Sequence, residues 1–470
     1  MRGPCPRKRT SVWDNQRFQG RVMPIRARSL VVAAALSVLV LAACGSRVSD
    51  QSPSSSAPSQ GGGANPASDI GVTAKEIKVG TIVGLTSPLG PTAFSGSLYG
   101  ARAYFDALNA AGGVNGRTVR FVSCDDHGSG PDNAACVRKL VDDEKVFALA
   151  GVAAFTYDGA SYLNSKGVPD IAGQPITNVY DQYPHLYSLY GSQYPRDGTR
   201  PGYNGMLYAG TENYRWLKDN LNTKTAGVVY YNVAPSQRYA HSVADGLRHE
   251  GYTVVEKEIN LGLPNFDAAV LDMKTRGVDV IFDAMEDNGN LSLCKSMQTQ
   301  GLVVKAKVTT TQGWTDTFAK TFAGTPGCRN VTYAISSTRN YNDTKYPAVA
   351  TYRKAMATYQ GVREGQLNMW TLEGYVSAQW LTDAIRSCGA NLTRACVESF
   401  MNRPSDYDGD GLLAPRNFTK ISPPPNTDRN CIEVAQWQDS ANGGKGAWVT
   451  SGKDMENNCF DVPSLPYQAE

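Results

Sequence analysis

The chain has 470 residues and a formal net charge of +3, from 46 basic and 43 acidic side chains. Eight of the basic residues and one of the acidic residues lie in the first 43 positions, so removal of that segment leaves 38 basic and 42 acidic residues. The remainder therefore lacks the excess of lysine and arginine with which nucleic-acid-binding proteins contact phosphates. It contains no second apolar run of about 18 or more residues, so we predict no membrane-spanning helix there.

The N-terminal segment has the pattern of an export signal. Arg26 and Arg28 precede an apolar run at residues 30–43, which ends in small residues before Cys44. A positive flank, a short apolar core and small residues before a cleavage site are typical of a secretory signal peptide. The tetrapeptide Leu41-Ala42-Ala43-Cys44 resembles the lipobox of bacterial lipoproteins. The resemblance implies that Cys44 becomes the new N-terminal residue and that its thiol is acylated. The alternative is a short membrane anchor, but the run is shorter than the roughly 20 residues that span a bilayer.

A flexible tether is predicted after the signal peptide, at residues 44–70. This segment is rich in serine, proline and glycine and has few side chains that could form a core. The tether would give the folded part of the chain reach from a membrane surface. At the other end of the signal peptide, Met23 is a more natural initiator than Met1, because residues 1–20 carry no signal-like pattern.

From residue 77 onward, predicted strands and predicted helices alternate. The predicted strands are residues 77–83, 119–123, 146–151, 168–172, 226–231, 252–259, 278–284, 305–310 and 331–336. The predicted helices are residues 96–111, 133–141, 159–165, 205–220, 236–250, 266–275, 291–300, 347–359 and 370–387. Such alternation predicts α/β architecture, with parallel sheets covered by helices on both faces. About 400 residues are enough for two domains. Residues 195–204 interrupt the alternation with proline, glycine, arginine and tyrosine, and we predict a crossing between two similar α/β lobes near residues 189–193. Near the C-terminus, short strands are predicted at residues 432–437 and 446–449.

Eight cysteines follow Cys44. An even number in an exported chain suggests disulfides. The most economical pairing joins sequence neighbours: Cys124 with Cys136, Cys294 with Cys328, Cys388 with Cys396, and Cys431 with Cys459. A metal cluster is the alternative, but no CxxC motif occurs and the four histidines lack ligand spacing, so we predict no metal.

Several short motifs resemble a known family of transport proteins. They are Pro88-Leu89-Gly90-Pro91, the segment at residues 109–117 (Asn-Ala-Ala-Gly-Gly-Val-Asn-Gly-Arg), Asp125-Asp126 and Arg138-Lys139-Leu140-Val141. Their order and spacing resemble the solute-binding proteins of ABC importers in the leucine/isoleucine/valine-binding class. The resemblance implies the type I periplasmic-binding fold, in which two doubly wound parallel-sheet lobes are joined by a three-crossing hinge and the solute binds between them.

The resemblance also implies lobe boundaries and a site. The N-terminal lobe would comprise residues 71–190 and 340–410, and the C-terminal lobe residues 191–339 and 411–465. Ligands of open α/β sheets bind beyond the carboxyl ends of the strands, so two facing lobes form a cleft that closure would seal. The loops at those ends contain eight candidate ligand-binding residues: Phe94, Phe155, Thr156, Gln174, Thr177, Ser236, Glu286 and Gln312.

Each candidate also has a purely structural interpretation. The two phenylalanines could pack against their own helices, and Thr156, Thr177 and Ser236 could cap helices. Glu286 could be a solvated turn residue.

Gln312 weakens the inference about the solute. In amino-acid-binding members of the family, the resemblance implies a glutamate at this position that pairs with the ammonium group of the ligand. A neutral amide loses that charge-assisted bond. Glu286 could replace it from a neighbouring loop. Otherwise the solute is an amide, a small carboxylate, a urea-like compound or an aromatic acid.

The sequence favours an extracytoplasmic, lipid-anchored solute-binding protein. We expect it to capture a small polar solute, such as an amino acid, an amide or a small carboxylate, and to deliver it to an ABC permease. It would act as a monomer without a cofactor and without enzymatic activity. The alternatives are a ligand-sensing receptor without transport and an exported hydrolase. The hydrolase is less favoured because no GxSxG, Walker or GxGxxG motif is present.

Overall fold

The computed structural model describes residues 65–87, 89–90, 92–361 and 367–469. The predicted signal peptide, Cys44 and the tether up to residue 64 lie outside these residues. The described residues all belong to one compact unit. Among the described helices, none combines the length and the apolar character that crossing a bilayer requires.

The first lobe is built on a five-stranded parallel sheet with strand order β2-β1-β3-β4-β5. Its strands are β1 (Glu76–Val83), β2 (Thr118–Asp125), β3 (Ala148–Ala150), β4 (Asp170–Gly173) and β5 (Leu186–Ser188). The helices in this part of the chain are α1 (Thr92–Ala110), α2 (Gly130–Arg138), followed by a π-helical turn at Lys139–Asp143, and α3 (Ala160–Ser165).

The first sheet is covered on both faces. Val79 of β1 belongs to a core that includes residues of α1, whereas Ile82 belongs to a second core with Val137 and Leu163 from the helical layer of α2 and α3. Burial on two faces explains why the strand reads as a nearly continuous apolar run.

The second lobe is built on a seven-stranded sheet with strand order β14-β13-β11-β10-β9-β7-β8. The strands of this sheet are β7 (Thr225–Tyr231), β8 (Thr253–Ile259), β9 (Val280–Ala284), β10 (Ala306–Thr309), β11 (Thr332–Ser336), β13 (Glu433–Gln438) and β14 (Ala447–Thr450). Two further two-stranded sheets pair β6 (Met206–Ala209) with β16 (Leu465–Gln468), and β12 (Thr427–Cys431) with β15 (Cys459–Pro463). The helices in the rest of the chain include α4 (Glu212–Leu221), α5 (Ala234–His249), α6 (Phe266–Thr275), α7 (Asp287–Gln300), α8 (Phe318–Thr321), α9 (Pro326–Arg329), α10 (Pro347–Tyr359), α11 (Met369–Cys388) and α12 (Arg394–Met401).

Two features of the second lobe differ from the sequence prediction. At the edge of an otherwise parallel sheet, β13 runs antiparallel to both of its neighbours, β11 and β14. The turn at residues 442–444, where all three residues have positive φ, reverses the chain between them. The helix predicted at residues 205–220 begins only at Glu212, because Met206–Ala209 forms strand β6 against β16 from the far end of the chain.

Three crossings connect the lobes. The first follows β5, the second lies at residues 337–339, and the third lies at residues 412–414. The last two run antiparallel, with Ala414 N donating to Ser337 O at 2.8 Å and Arg339 N donating to Leu412 O at 2.9 Å. After the second crossing the chain returns to the first lobe, where α11 packs on α1, β4 and α12. The predicted fold class, two doubly wound lobes with a three-crossing hinge, is therefore confirmed.

All four predicted disulfides are present. Cys124–Cys136 joins β2 to α2, and Cys294–Cys328 joins α7 to α9. Cys388–Cys396 joins α11 to α12, and Cys431–Cys459 lies between directly opposed residues of β12 and β15. Closure of a short loop restricts the unfolded chain and typically stabilises by about 2–4 kcal/mol.

Candidate functional site

A cleft of about 800 Å³ lies between the two lobes. Its walls come from loops at the carboxyl ends of parallel strands in both sheets, which is where such sheets bind ligands. The lining loops follow β4, β7, β9 and β10 and contribute residues from 174–178, 231–239, 284–286 and 310–312. Residues of the first crossing, of β6 and of the segment after the third crossing also line the cleft.

Six of the eight predicted ligand-binding residues line this cleft: Phe155, Gln174, Thr177, Ser236, Glu286 and Gln312. The other two, Phe94 and Thr156, are not among the lining residues. Phe94 is fully buried and packs on Trp370, with ring centroids 5.3 Å apart. Thr156 does not cap a helix, because α3 begins at Ala160. Its Oγ1 is buried without a hydrogen-bond partner in the described part of the chain.

Phe155 belongs to an apolar part of the wall, together with Leu89, Ile176 and Trp370. The Trp370 ring is 5% exposed, and its Nε1 donates to Thr311 Oγ1 of the second lobe at 3.1 Å. The α11 helix is fixed at this end by a capping box at Asn368. This surface suits the apolar body of a solute rather than a charged group.

Gln174 takes part in a buried network at the hinge. Its Nε2 donates to Glu373 Oε2 at 2.8 Å, and Tyr190 Oη and Thr338 Oγ1 both donate to Glu373 Oε1. Tyr190 belongs to the first crossing and Thr338 to the second, so one carboxyl group of α11 joins two crossings to the cleft wall. Burial raises the pKa of Glu373 to about 7, although its three hydrogen bonds act in the opposite direction.

Glu373 is not among the residues predicted from the sequence. It lies in the stretch of α11 from residue 369 to residue 382, where every side chain is buried. The available signal was an acid between the apolar residues Leu372 and Tyr375 of a predicted helix, because a fully buried carboxyl group requires partners.

Ser236 Oγ and Glu286 Oε1 are occupied by structural hydrogen bonds, whereas Glu286 Oε2 is buried without a hydrogen-bond partner in the described part of the chain. Ser236 Oγ donates to Ala284 O at 2.7 Å and accepts from Tyr231 N at 3.0 Å, so it ties together the ends of β7 and β9. Glu286 caps α7 by accepting from Gly289 N at 3.1 Å, and it accepts from Tyr231 Oη at 3.4 Å. These contacts fix the shape of the second-lobe wall.

Thr177 and Gln312 offer unused hydrogen-bonding groups to the cleft. Thr177 precedes a 3₁₀ turn at Asn178–Asp181, but its side chain makes no capping bond. Within the described ranges, neither the Thr177 hydroxyl nor the Gln312 amide forms a hydrogen bond with another residue. Thr177 follows a strand of the first lobe and Gln312 follows a strand of the second, so each lobe contributes a free side-chain group to the cleft.

Charged residues that the sequence analysis did not identify also line the cleft. Asp181 accepts from Gln193 N at 2.6 Å, and burial raises its pKa to about 6. Arg238 of α5 donates to Ile176 O at 3.1 Å and so links the second lobe to the first. Arg416 follows the third crossing and also lines the wall. These three residues could not be predicted to line the cleft, because their positions there depend on contacts with other segments of the chain.

Comparisons with known proteins agree with this geometry. The sequence profile of a family described as periplasmic binding protein matches residues 76–445. An amino acid binding protein of Pseudomonas aeruginosa is 24% identical over 339 residues, which cover 69% of this chain and 83% of the relative.

Similar solved structures include a fatty acid ABC transporter substrate-binding protein from Thermomonospora curvata, with a TM-score of 0.65 and 18% identity over 84% of this chain and 96% of that one. A solute-binding protein from R. palustris in complex with 4-hydroxybenzoate has a TM-score of 0.63 and 17% identity, covering 81% of this chain and 98% of its own. A branched-chain amino acid transporter substrate-binding protein from Streptococcus pneumoniae in complex with isoleucine has a TM-score of 0.60 and 17% identity, over 80% of this chain and 100% of its own. At these identities the structural likeness shows the fold alone.

Proposed function

Because the chain belongs to the periplasmic binding protein family, we propose that it captures a small organic solute in the cleft between its lobes and delivers it to an ABC importer. The solute is an amino acid, an amide or a small carboxylate. The observation that carries this proposal is the cleft itself. It lies at the carboxyl ends of both sheets, and free hydrogen-bonding groups face it from each lobe at Thr177 and Gln312.

Direct contacts between the lobes support capture by closure. Arg238 Nη2 of the second lobe donates to Ile176 O of the first, and Trp370 Nε1 of the first donates to Thr311 Oγ1 of the second. Opening of the cleft would break both hydrogen bonds. Rotation about the three crossings is the movement by which two-lobed binding proteins admit and release a solute.

Anchoring and localisation form a second part of the proposal. Lipidation of Cys44 holds the protein on the outer side of the cell membrane, and residues 45–64 give it reach. The folded part comprises an N-terminal lobe of residues 71–190 and 340–410 and a C-terminal lobe of residues 191–339 and 411–465. It works as a monomer beside the permease.

A thermal-shift screen tests the proposal. The purified protein is heated with each member of a panel of amino acids, amides and small carboxylates. A solute at about 100 times its Kd adds about 2.7 kcal/mol to the free energy of unfolding. For roughly 400 residues that unfold together, this raises Tm by about 3 °C. A well-folded sample whose Tm no member of the panel raises would contradict the proposal. Binding without any effect of gene deletion on solute uptake would instead favour a sensor.

A further inference from the structure

We infer that Arg416 is the anchor for the charged group of the solute, and that the solute is an organic acid with a single carboxylate and an apolar body. The inference rests on the proposed function, because it concerns the same cleft. It names a residue after the third crossing, in a segment outside the strand-end loops from which ligand-binding residues were predicted.

Arg416 differs from the other two arginines that line the cleft. Arg238 donates to Ile176 O, and Arg429 is paired with Asp461 at 3.2 Å. In the part of the chain that the structure describes, the Arg416 guanidinium makes neither an ion pair nor a hydrogen bond, and its Nε is buried without an acceptor. A buried donor without a partner is costly. A carboxylate from the solute would supply the missing acceptors in the paired geometry that guanidinium groups favour.

The backbone of Arg416 is held firmly. Arg416 N donates to Tyr407 O at 2.9 Å, and Tyr407 N donates to Arg416 O at 2.7 Å. The Tyr407 ring stacks on Trp380 at 4.5 Å, and its hydroxyl donates to Asp383 at 2.8 Å, both on α11. The guanidinium is therefore presented from a rigid support, which lowers the entropy cost of binding.

Arg416 also lies at the hinge end of the cleft, close to the first crossing. A Cβ placed on Gly191 would lie 3.9 Å from Arg416 Nη1. A carboxylate bound there would lie beside the first crossing and the segment that follows the third. Such a contact would couple the charged group of the solute to the arrangement of the lobes.

Neighbouring acids limit the charge that this position accepts. Glu212 and Asp428 both act to raise the pKa of Arg416, although burial has the larger effect and lowers it. Glu212 accepts from Asn430 Nδ2 at 3.1 Å, and burial raises its pKa above the usual range. These two acids repel a dianion such as phosphate more strongly than they repel a single carboxylate. The apolar wall around Phe155 and Trp370 suits the body of the acid.

Matched acids and amides test the inference by calorimetric titration of the purified full chain. The probes are benzoate with benzamide, 4-hydroxybenzoate with 4-hydroxybenzamide, and octanoate with octanamide, and free amino acids are included. We expect at least one acid to bind about 10- to 100-fold more tightly than its amide. Arg416→Gln should remove that advantage and leave amide binding unchanged, whereas Arg416→Lys should retain part of it because the charge remains.

Arg276→Gln provides the matched control, because Arg276 is an exposed arginine on the loop after α6 and does not line the cleft. It should leave every affinity within about twofold. Equal binding of acid and amide, or an acid affinity that Arg416→Gln does not change, would overturn the inference and leave the proposed function standing. A neutral or cationic solute that binds equally well to wild type and Arg416→Gln would also overturn the inference and leave the proposed function standing. Absence of binding across the whole panel would overturn both.

Discussion

Replacement of Lys307 by methionine should lower the free energy of unfolding by about 3–5 kcal/mol. Lys307 Nζ lies 2.6 Å from Asp283 Oδ2, and the two side chains are 1% and 0% exposed. Methionine preserves most of the volume but leaves the Asp283 carboxylate buried, and among the described residues its one remaining side-chain partner is the Asn290 amide, 2.9 Å away. The loss of stability comes from this uncompensated charge rather than from a cavity.

The effect should extend to the cleft. Asn290 Nδ2 also donates to Met285 O at 3.0 Å, and Met285 lines the cleft between β9 and α7. Loss of Lys307 should therefore loosen this wall and weaken solute binding in addition to lowering stability.

Urea unfolding followed by tryptophan fluorescence measures the change. Lys305→Met is the matched control, because Lys305 pairs with Asp279 at 3.1 Å but is 45% exposed, and it should cost less than about 1 kcal/mol. The double variant Lys307→Met/Asp283→Leu should recover most of the stability, since it removes both charges. If Lys307→Met destabilised the protein no more than Lys305→Met, the interpretation of the buried pair would be refuted.

Two further predictions concern pH and anchoring. Because the pKa of Glu373 is raised to about 7 in the folded protein, folding favours its protonated form, and its stabilising contribution is lost as pH rises from about 4.5 to about 7. One pKa unit corresponds to about 1.36 kcal/mol, so the loss is about 3 kcal/mol. Glu373→Gln should lack this part of the decline in Tm between pH 5 and pH 8, and a decline identical to that of wild type would contradict the assignment. Cys44→Ala should release the protein from the membrane fraction into the soluble exported fraction. Unchanged membrane association of this variant would argue against lipidation at Cys44.

Much of the fold could be predicted from the sequence because the relevant signals are local. Helices α6 and α10 begin and end at the predicted residues, because the apolar spacing within each helix and the residues just outside it are enough to define the helix. The four disulfides followed from neighbour pairing, because each closes a short stretch of chain.

Features set by distant partners could not be predicted. The sequence predicts a helix where strand β6 forms, because the partner strand β16 lies at the other end of the chain. The antiparallel direction of β13 depends on the position at which the chain re-enters the second lobe after the third crossing.

The same limit applied to the site. Strand ends located most of the cleft wall, but Arg416 and Glu373 matter through burial and through contacts with other segments. The packing role of Phe94 is likewise decided by Trp370, on a helix far along the chain.

Hydrogen–deuterium exchange with and without a saturating solute tests most directly whether the solute binds between the lobes. If it does, exchange should slow in both cleft loops, at residues 174–178 of the first lobe and at residues 310–314 of the second. The exposed loop at residues 260–264 serves as an internal reference, because Leu261 is its one residue among those that line the cleft. Slower exchange in only one of the two cleft loops, or only at a surface outside the cleft, would contradict binding between the lobes.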